Sequence, residues 1–218
     1  ASNQTVYRDG LLIEGNYIDG GPNVNSSYSR GMYIQATAGT IQDNVIVNAN
    51  IGIQYMPYSH TTSGTIQRNT ISAGGIGLYH NYQNKGAAAV TWSQNTVTVA
   101  ANDRAGSKAL VDGAYTSAVT FRGIQLATFG NEGTGAAPQV TFTNNAIDAT
   151  LVSGTTYNSS VLEAVRFASG SYATSGGTAT FSDNSFTGWT KAVNNQLDGT
   201  YSMSGNWWGT DSESTINT

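Results

Sequence analysis

Six carboxylates stand where they could act on a substrate: Glu14, Asp19, Asp103, Asp112, Glu132 and Glu163. Hydrolysis of a glycosidic bond needs two carboxyl groups, about 5–5.5 Å apart for retention and about 6.5–9.5 Å apart for inversion. Glu14 and Asp19 fall close together near the start of the chain, beside Asp9. Asp103 and Asp112 belong to the stretch 100–117, which also holds Arg104 and Lys108 and concentrates charge more than any other. Long excursions commonly carry function, although a solvated loop fits the same composition. Proton abstraction beside a sugar carboxylate would instead need a Lys, Arg, Tyr or His base next to a cation or Ca²⁺. Arg166 with Tyr79 or His80 supplies those types.

What could bring such residues together is a repeat. One seven-residue phrase recurs at 12–18, 40–46, 65–71, 91–97, 141–147, 180–186 and 202–208. Its fifth position is always Asn: Asn16, Asn44, Asn69, Asn95, Asn145, Asn184 and Asn206. The spacings are 28, 25, 26, 50, 39 and 22 residues, most of them suited to one turn of a β solenoid with a variable loop. The gap of 50 is either one coil with a large insertion or two coils. An apolar residue flanked by polar ones is the period-2 sign of a strand. The second apolar residue comes five positions after the first, so parity flips and the strand must bend. Asn tolerates the left-handed backbone of such a corner. Stacked at about 4.8 Å per layer, the seven amides are expected to form an interior ladder.

A second phrase begins at Gly31, Gly52, Gly77, Gly123, Ala164 and Ala192. Each coil thus carries two strands, and the residues between them supply loops and a third. The inward columns read Met32, Ile53, Leu78, Ile124, Val165, Val193 and Ile41, Ile66, Trp92, Phe142, Phe181, Met203, a continuous core. The outward column of the second phrase reads Tyr33, Gln54, Tyr79, Gln125, Arg166, Asn194. Sugar rings stack on aromatic faces, and amides and guanidinium groups reach hydroxyl or carboxylate oxygens. The bland account is a solvated strand face, since Tyr suits strands anyway. Arg122, Glu163 and Lys191 share the column before the Gly/Ala position, which elsewhere holds Ile51 and Ile76. There Glu163 is expected between two cations, as an ion ladder or as a catalytic carboxylate. Asp43 and Arg68 share an exposed turn column. His80 has inward parity and reads as core.

Composition excludes other classes. Charged residues are 10%, against about 25% in an average domain. Gly reaches 26 and Pro only 3, while apolar residues recur too regularly for disorder. With net charge -4 and nine Lys plus Arg there is no basic patch for nucleic acid. No apolar run is long enough for a membrane helix. The absence of Cys excludes disulfides and Cys-based zinc sites. No calcium loop or other cofactor motif occurs, so no cofactor is expected and Ca²⁺ has no motif behind it.

The "G-I-x-Φ … T-Φ-x-x-N-x-Φ" phrases and the closing Gly205-Asn206-Trp207-Trp208-Gly209 resemble the pectate-lyase-like superfamily over residues 7–210. The resemblance implies an all-β fold, a right-handed single-stranded parallel β-helix of about seven to nine coils. It implies one domain over 1–218, either whole or a fragment or subunit that stacks on further β-helix coils. It further implies an exported bacterial protein, secreted or on the cell surface, whose partner is an oligo- or polysaccharide. Within that group a glycoside hydrolase using paired carboxylates comes first. A polysaccharide lyase or epimerase, or a non-catalytic glycan-binding adhesin or structural solenoid, is the alternative.

Overall fold

The computed structural model describes residues 9–20, 29–35, 38–57, 63–82, 89–101, 121–128, 139–151, 162–168, 178–196 and 201–209. These residues hold strands and no helix. In chain order the strands are β1 (Asp9–Glu14), β2 (Tyr17–Asp19), β3 (Arg30–Gln35), β4 (Ala38–Gln42), β5 (Val45–Met56), β6 (Ser63–Gln67), β7 (Thr70–Tyr82) and β8 (Ala89–Ser93). They continue as β9 (Thr96–Ala101), β10 (Phe121–Thr128), β11 (Gln139–Thr143), β12 (Ala146–Leu151), β13 (Leu162–Phe167), β14 (Thr178–Ser182), β15 (Ser185–Thr187) and β16 (Lys191–Asn195).

Every described pairing is parallel, and successive repeats lie on one another. The first half of the phrase forms a ladder β1-β4-β6-β8-β11-β14. Its second half forms β2-β5-β7-β9-β12-β15. The Gly/Ala phrase forms β3-β5-β7-β10-β13-β16. β5 and β7 run through both of the last two ladders, which therefore make one sheet. The result is an all-β parallel stack compatible with a solenoid. The 50-residue gap is a single step, because Thr91, Trp92 and Ser93 pair directly with Thr141, Phe142 and Thr143.

The core runs along the stack as columns. Met32, Ile53, Leu78, Ile124 and Val165 are buried and Val193 is half-buried; so too Ile41, Ile66, Trp92, Phe142 and Phe181, ending on half-buried Met203. Trp92 stacks on Phe142 at 5.7 Å between ring centroids, and Phe142 on Phe181 at 4.9 Å. Each such side chain stabilises by about 1.5–3 kcal/mol relative to exposure. Gly starts the second phrase because the ladders meet tightly there. A Cβ on Gly123 would lie 2.6 Å from Ile147 Cγ2 and 2.7 Å from Ala164 O.

The Asn ladder is continuous. The Nδ2 of Asn16, Asn44, Asn69, Asn95, Asn145 and Asn184 each donates to the Oδ1 of the next Asn, at 2.8–3.0 Å. The backbone N–H of each donates to the same Oδ1. From Asn44 onward, Nδ2 also donates to a carbonyl of the preceding layer, as Asn95 does to Ile66 O at 3.0 Å. Each inner amide is thereby satisfied on both its oxygen and its nitrogen, which burial requires.

One expectation is corrected. The left-handed residue at the corner is not Asn but its predecessor: Gly15, Asp43, Arg68, Gln94, Asn144, Asp183 and Gly205, with φ between 52° and 78°. An Asn amide aimed into the stack must sit on backbone that can pair with the next layer. The preceding residue makes the turn, with its own side chain exposed.

Candidate functional site

The ladder β3-β5-β7-β10-β13-β16 builds the candidate face. Tyr33, Gln54, Tyr79, Gln125, Arg166 and Asn194 form one register column across its six strands. A second column, Arg30, Ile51, Ile76, Arg122, Glu163 and Lys191, lies three residues earlier. The two residues between them turn inward at the Gly/Ala corner, so both columns project outward side by side.

The second column partly covers the first. Gln54 and Gln125 are buried, at 1% and 7% exposure, although their parity is outward. Arg30 Nε donates to Gln54 Oε1, and Arg122 Nη1 donates to Gln125 Oε1. Period-2 reasoning gives direction and says nothing of what lies across a side chain. Tyr33 stays open at 46% exposure, with the Arg30 guanidinium 5.1 Å from its ring centroid. Tyr79 is half-buried and hydrogen-bonded to Gln125; burial chiefly pushes its phenol pKa up, so it is a poor base at neutral pH.

Glu163 is the hub, at 2% exposure. Arg122 Nε approaches its Oε2 at 3.4 Å and Arg166 Nη1 at 3.3 Å, while Asn194 Nδ2 donates to Oε1. Arg166 Nη2 continues to Gln196 Oε1 at 2.9 Å. Burial chiefly, then the neighbouring Arg166, lowers the Arg122 pKa from its ordinary value, and the guanidinium stays charged. The expected trio is corrected in one member. Arg122, Glu163 and Lys191 do share a column, but the second ion pair is made by Arg166. Residues 163 and 166 flank the inward pair Ala164-Val165, so the Arg166 fork reaches back, and Asn194 holds the oxygen that Lys191 would need.

The remaining candidates do not converge. Glu14, at the end of β1, accepts from Gln42 Nε2, and Asp19, at the end of β2, accepts from Asn48 Nδ2 at 2.8 Å. Both belong to the first described layer, whereas Glu163 is on the fifth strand of its ladder. Four steps put them about 19 Å apart along the stack, too far for a carboxylate pair. Asp103, Asp112 and Glu132 lie outside the described residues. Among the described residues no three His, Cys, Asp or Glu stand together as a metal site, and no helix could cross a membrane.

His80 is core. It is fully buried, accepts from Trp92 Nε1 at 3.3 Å and lies 6.4 Å from the Tyr55 ring; burial pushes its pKa down to about 3. Sequence reasoning overlooked Arg30 and Gln196. Arg30 was findable, since it stands immediately before Gly31 as Arg122 stands before Gly123. Asp43 and Arg68 pair at 2.7 Å on the exposed corner.

No protein-family model matches this chain, and comparison with curated proteins and with solved structures returned no match.

Proposed function

We propose that the chain winds as a right-handed parallel β-helix and holds an extracellular glycan along the Tyr33–Asn194 face, as a binding module. The carrying observation is the single register column that sets Tyr33 and Tyr79 in line with Arg166 and Asn194, beside the cations of the neighbouring column. A glycan gains ring contact from the tyrosines and charge-assisted hydrogen bonds from the partly exposed guanidinium groups of Arg122 and Arg166. Binding is favoured over hydrolysis because Glu163 already accepts from Arg122, Arg166 and Asn194. Both oxygens of Glu163 are thus already engaged within the protein. Glu14 and Asp19 are too distant to serve as its partner.

A glycan array identifies ligands, and titration of the best one tests the face. Tyr33→Ala is expected to weaken binding about tenfold, roughly 1.4 kcal/mol, with little change in melting temperature. No glycan bound, or binding indifferent to both Tyr33→Ala and Tyr79→Ala, overturns the assignment. Release of reducing ends by the wild type, abolished in a folded Glu163→Gln variant, would make the protein a hydrolase instead.

A further inference from the structure

Eight side-chain amides are buried among the described residues, and seven of them have hydrogen-bond partners. Five belong to the Asn ladder, while Gln54 and Gln125 accept from Arg30 and Arg122. The eighth is Asn81 on β7. It is fully buried, and neither its Oδ1 nor its Nδ2 has a hydrogen-bond partner. An amide left so forgoes the bonds that water would give it, and the fold is weaker for it. Such a residue needs a reason other than stability.

Asn81 belongs to the candidate face. His80 before it points into the core against Trp92, so alternation turns Asn81 outward, two residues beyond Tyr79. Its register partner on β10 is Ala127, and on β5 Met56 stands one residue beyond the Tyr55–His80 pair. Met56 and Ala127 share the outward parity and are also buried. The exposed Tyr33 leans across this column, its Oη donating to Met56 Sδ at 3.7 Å. A polar amide thus sits between two apolar side chains, one strand step of about 4.8 Å from the residue that the open tyrosine touches.

We propose that Asn81 anchors a sugar ring through two hydroxyls on adjacent carbons, a role that rests on the glycan-binding reading and deepens it. An amide offers an acceptor oxygen and a donor nitrogen side by side. Adjacent hydroxyls match both, since one donates to Oδ1 while the other accepts from Nδ2. A carboxylate would satisfy only Nδ2 and an ammonium only Oδ1, and a trans amide carries its donor and acceptor on opposite edges. Met56 and Ala127 suit the C–H edge of the ring, and Tyr33 suits its face. A sugar that takes up the amide replaces atoms none of which bonds to it, so the exchange gains hydrogen bonds and breaks none at this side chain. The ligand must then keep a free adjacent pair in each unit. A hexopyranose chain linked through O4 keeps O2 and O3 free as neighbours, whereas a chain linked through O3 keeps no such pair within it. The ligand class is therefore the O4-linked chain.

Two variants of the full chain and one array test this. The array pairs O4-linked with O3-linked oligosaccharides of glucose, galactose and mannose. Asn81→Leu keeps the size and removes the amide, while Asn81→Ala leaves room for a ring; cooperative melting shows that each folds. Wild type is expected to hold O4-linked chains about tenfold more tightly than O3-linked ones, and both variants are expected to lose that preference. Because the buried amide is unpaired, Asn81→Leu is also expected to raise the melting temperature by about 2–4 °C. A lower melting temperature with unchanged binding would mean that the amide holds an ordered water only, and overturns the proposal. So does an O4 preference that both variants retain, or tighter binding of O3-linked chains by the wild type. In each of these cases a glycan is still bound, and the glycan-binding reading stands. Binding of no chain at all overturns both.

Discussion

The inner lining of the stack and its outer face are made by the same strands, yet they obey different rules. On β7, His80 faces in and Tyr79 faces out; on β5, Tyr55 faces in and Gln54 out. Inside, each side chain meets the equivalent side chain of the next layer, so a residue type that satisfies itself can repeat without limit. The Asn ladder and the Trp92-Phe142-Phe181 stack are such solutions. Outside, the strands fix spacing but not partners, and the Tyr33–Asn194 column changes type at every layer. Arg30 and Arg122 lie across Gln54 and Gln125, whereas Arg122 and Arg166 converge on Glu163. Repetition therefore marks what holds the stack together, and its interruption marks where a ligand could be met.

Acid gives the largest effect with which to probe this difference. His80 is neutral in the fold, with a pKa pushed down to about 3, and titrates near 6.5 once unfolded. Between those values the unfolded chain binds a proton that the fold refuses. Stability is thus complete above about pH 6.5 and falls as pH drops toward about 3, by about 1.4 kcal/mol per unit. The total reaches about 5 kcal/mol. Urea unfolding between pH 7 and pH 5, where carboxylates contribute little, should show the slope in the wild type. His80→Phe should flatten it, at a cost at pH 7 from the unpaired Trp92 N–H. An unchanged slope would mean that the acid-sensitive group lies elsewhere.

Next in size is the ladder itself. Asn95→Ala removes the acceptor used by Asn69 N and Nδ2, and the donor used by Ile66 O and Asn145 Oδ1. Leaving buried groups unpaired is expected to cost about 3 kcal/mol. Asn16→Ala, at the exposed first layer, should cost less than about 1 kcal/mol. Equal costs at the two sites, read from denaturation midpoints, would show that burial does not set the ladder's contribution.

Much of the inner lining was legible in the sequence because its signal is positional. The Asn holds its place in the phrase through loops of varying length, and the core columns follow by counting from it. Three features were not. The left-handed residue was misplaced because Asn satisfies two demands at once, a positive φ and a buried amide, and sequence cannot say which one is in use. The burial of Gln54 and Gln125 depends on how Arg30 and Arg122 lie across them. The partner of Glu163 depends on reach: register put Lys191 opposite, but the Arg166 guanidinium arrives from three residues along the same strand. On the outer face, side-chain length and competition for one oxygen decide the contacts, and neither is a matter of period.

The smallest effect separates the two residues at the corner. Gln94 holds φ 56° with its side chain exposed, one position before the buried Asn95. A non-glycine residue in that region costs about 1–2 kcal/mol, which Gly avoids. Gly in turn loses more backbone freedom on folding, about 0.5–1 kcal/mol. The balance predicts that Gln94→Gly stabilises the protein by about 0.5 kcal/mol, and Gln94→Ala should bring no such gain because Ala keeps the Cβ. The layers at both ends already carry the favoured residue, Gly15 and Gly205. Arg68 is a poorer site for the experiment, since its guanidinium also pairs with Asp43. Were the turn made by the Asn itself, Gly would help at position 95 and not at 94. Asn95→Gly should instead lose the ladder bonds and cost about as much as Asn95→Ala. Opposite signs at adjacent positions, measured by thermal unfolding, would establish that one residue makes the corner while the next fastens it to its neighbours.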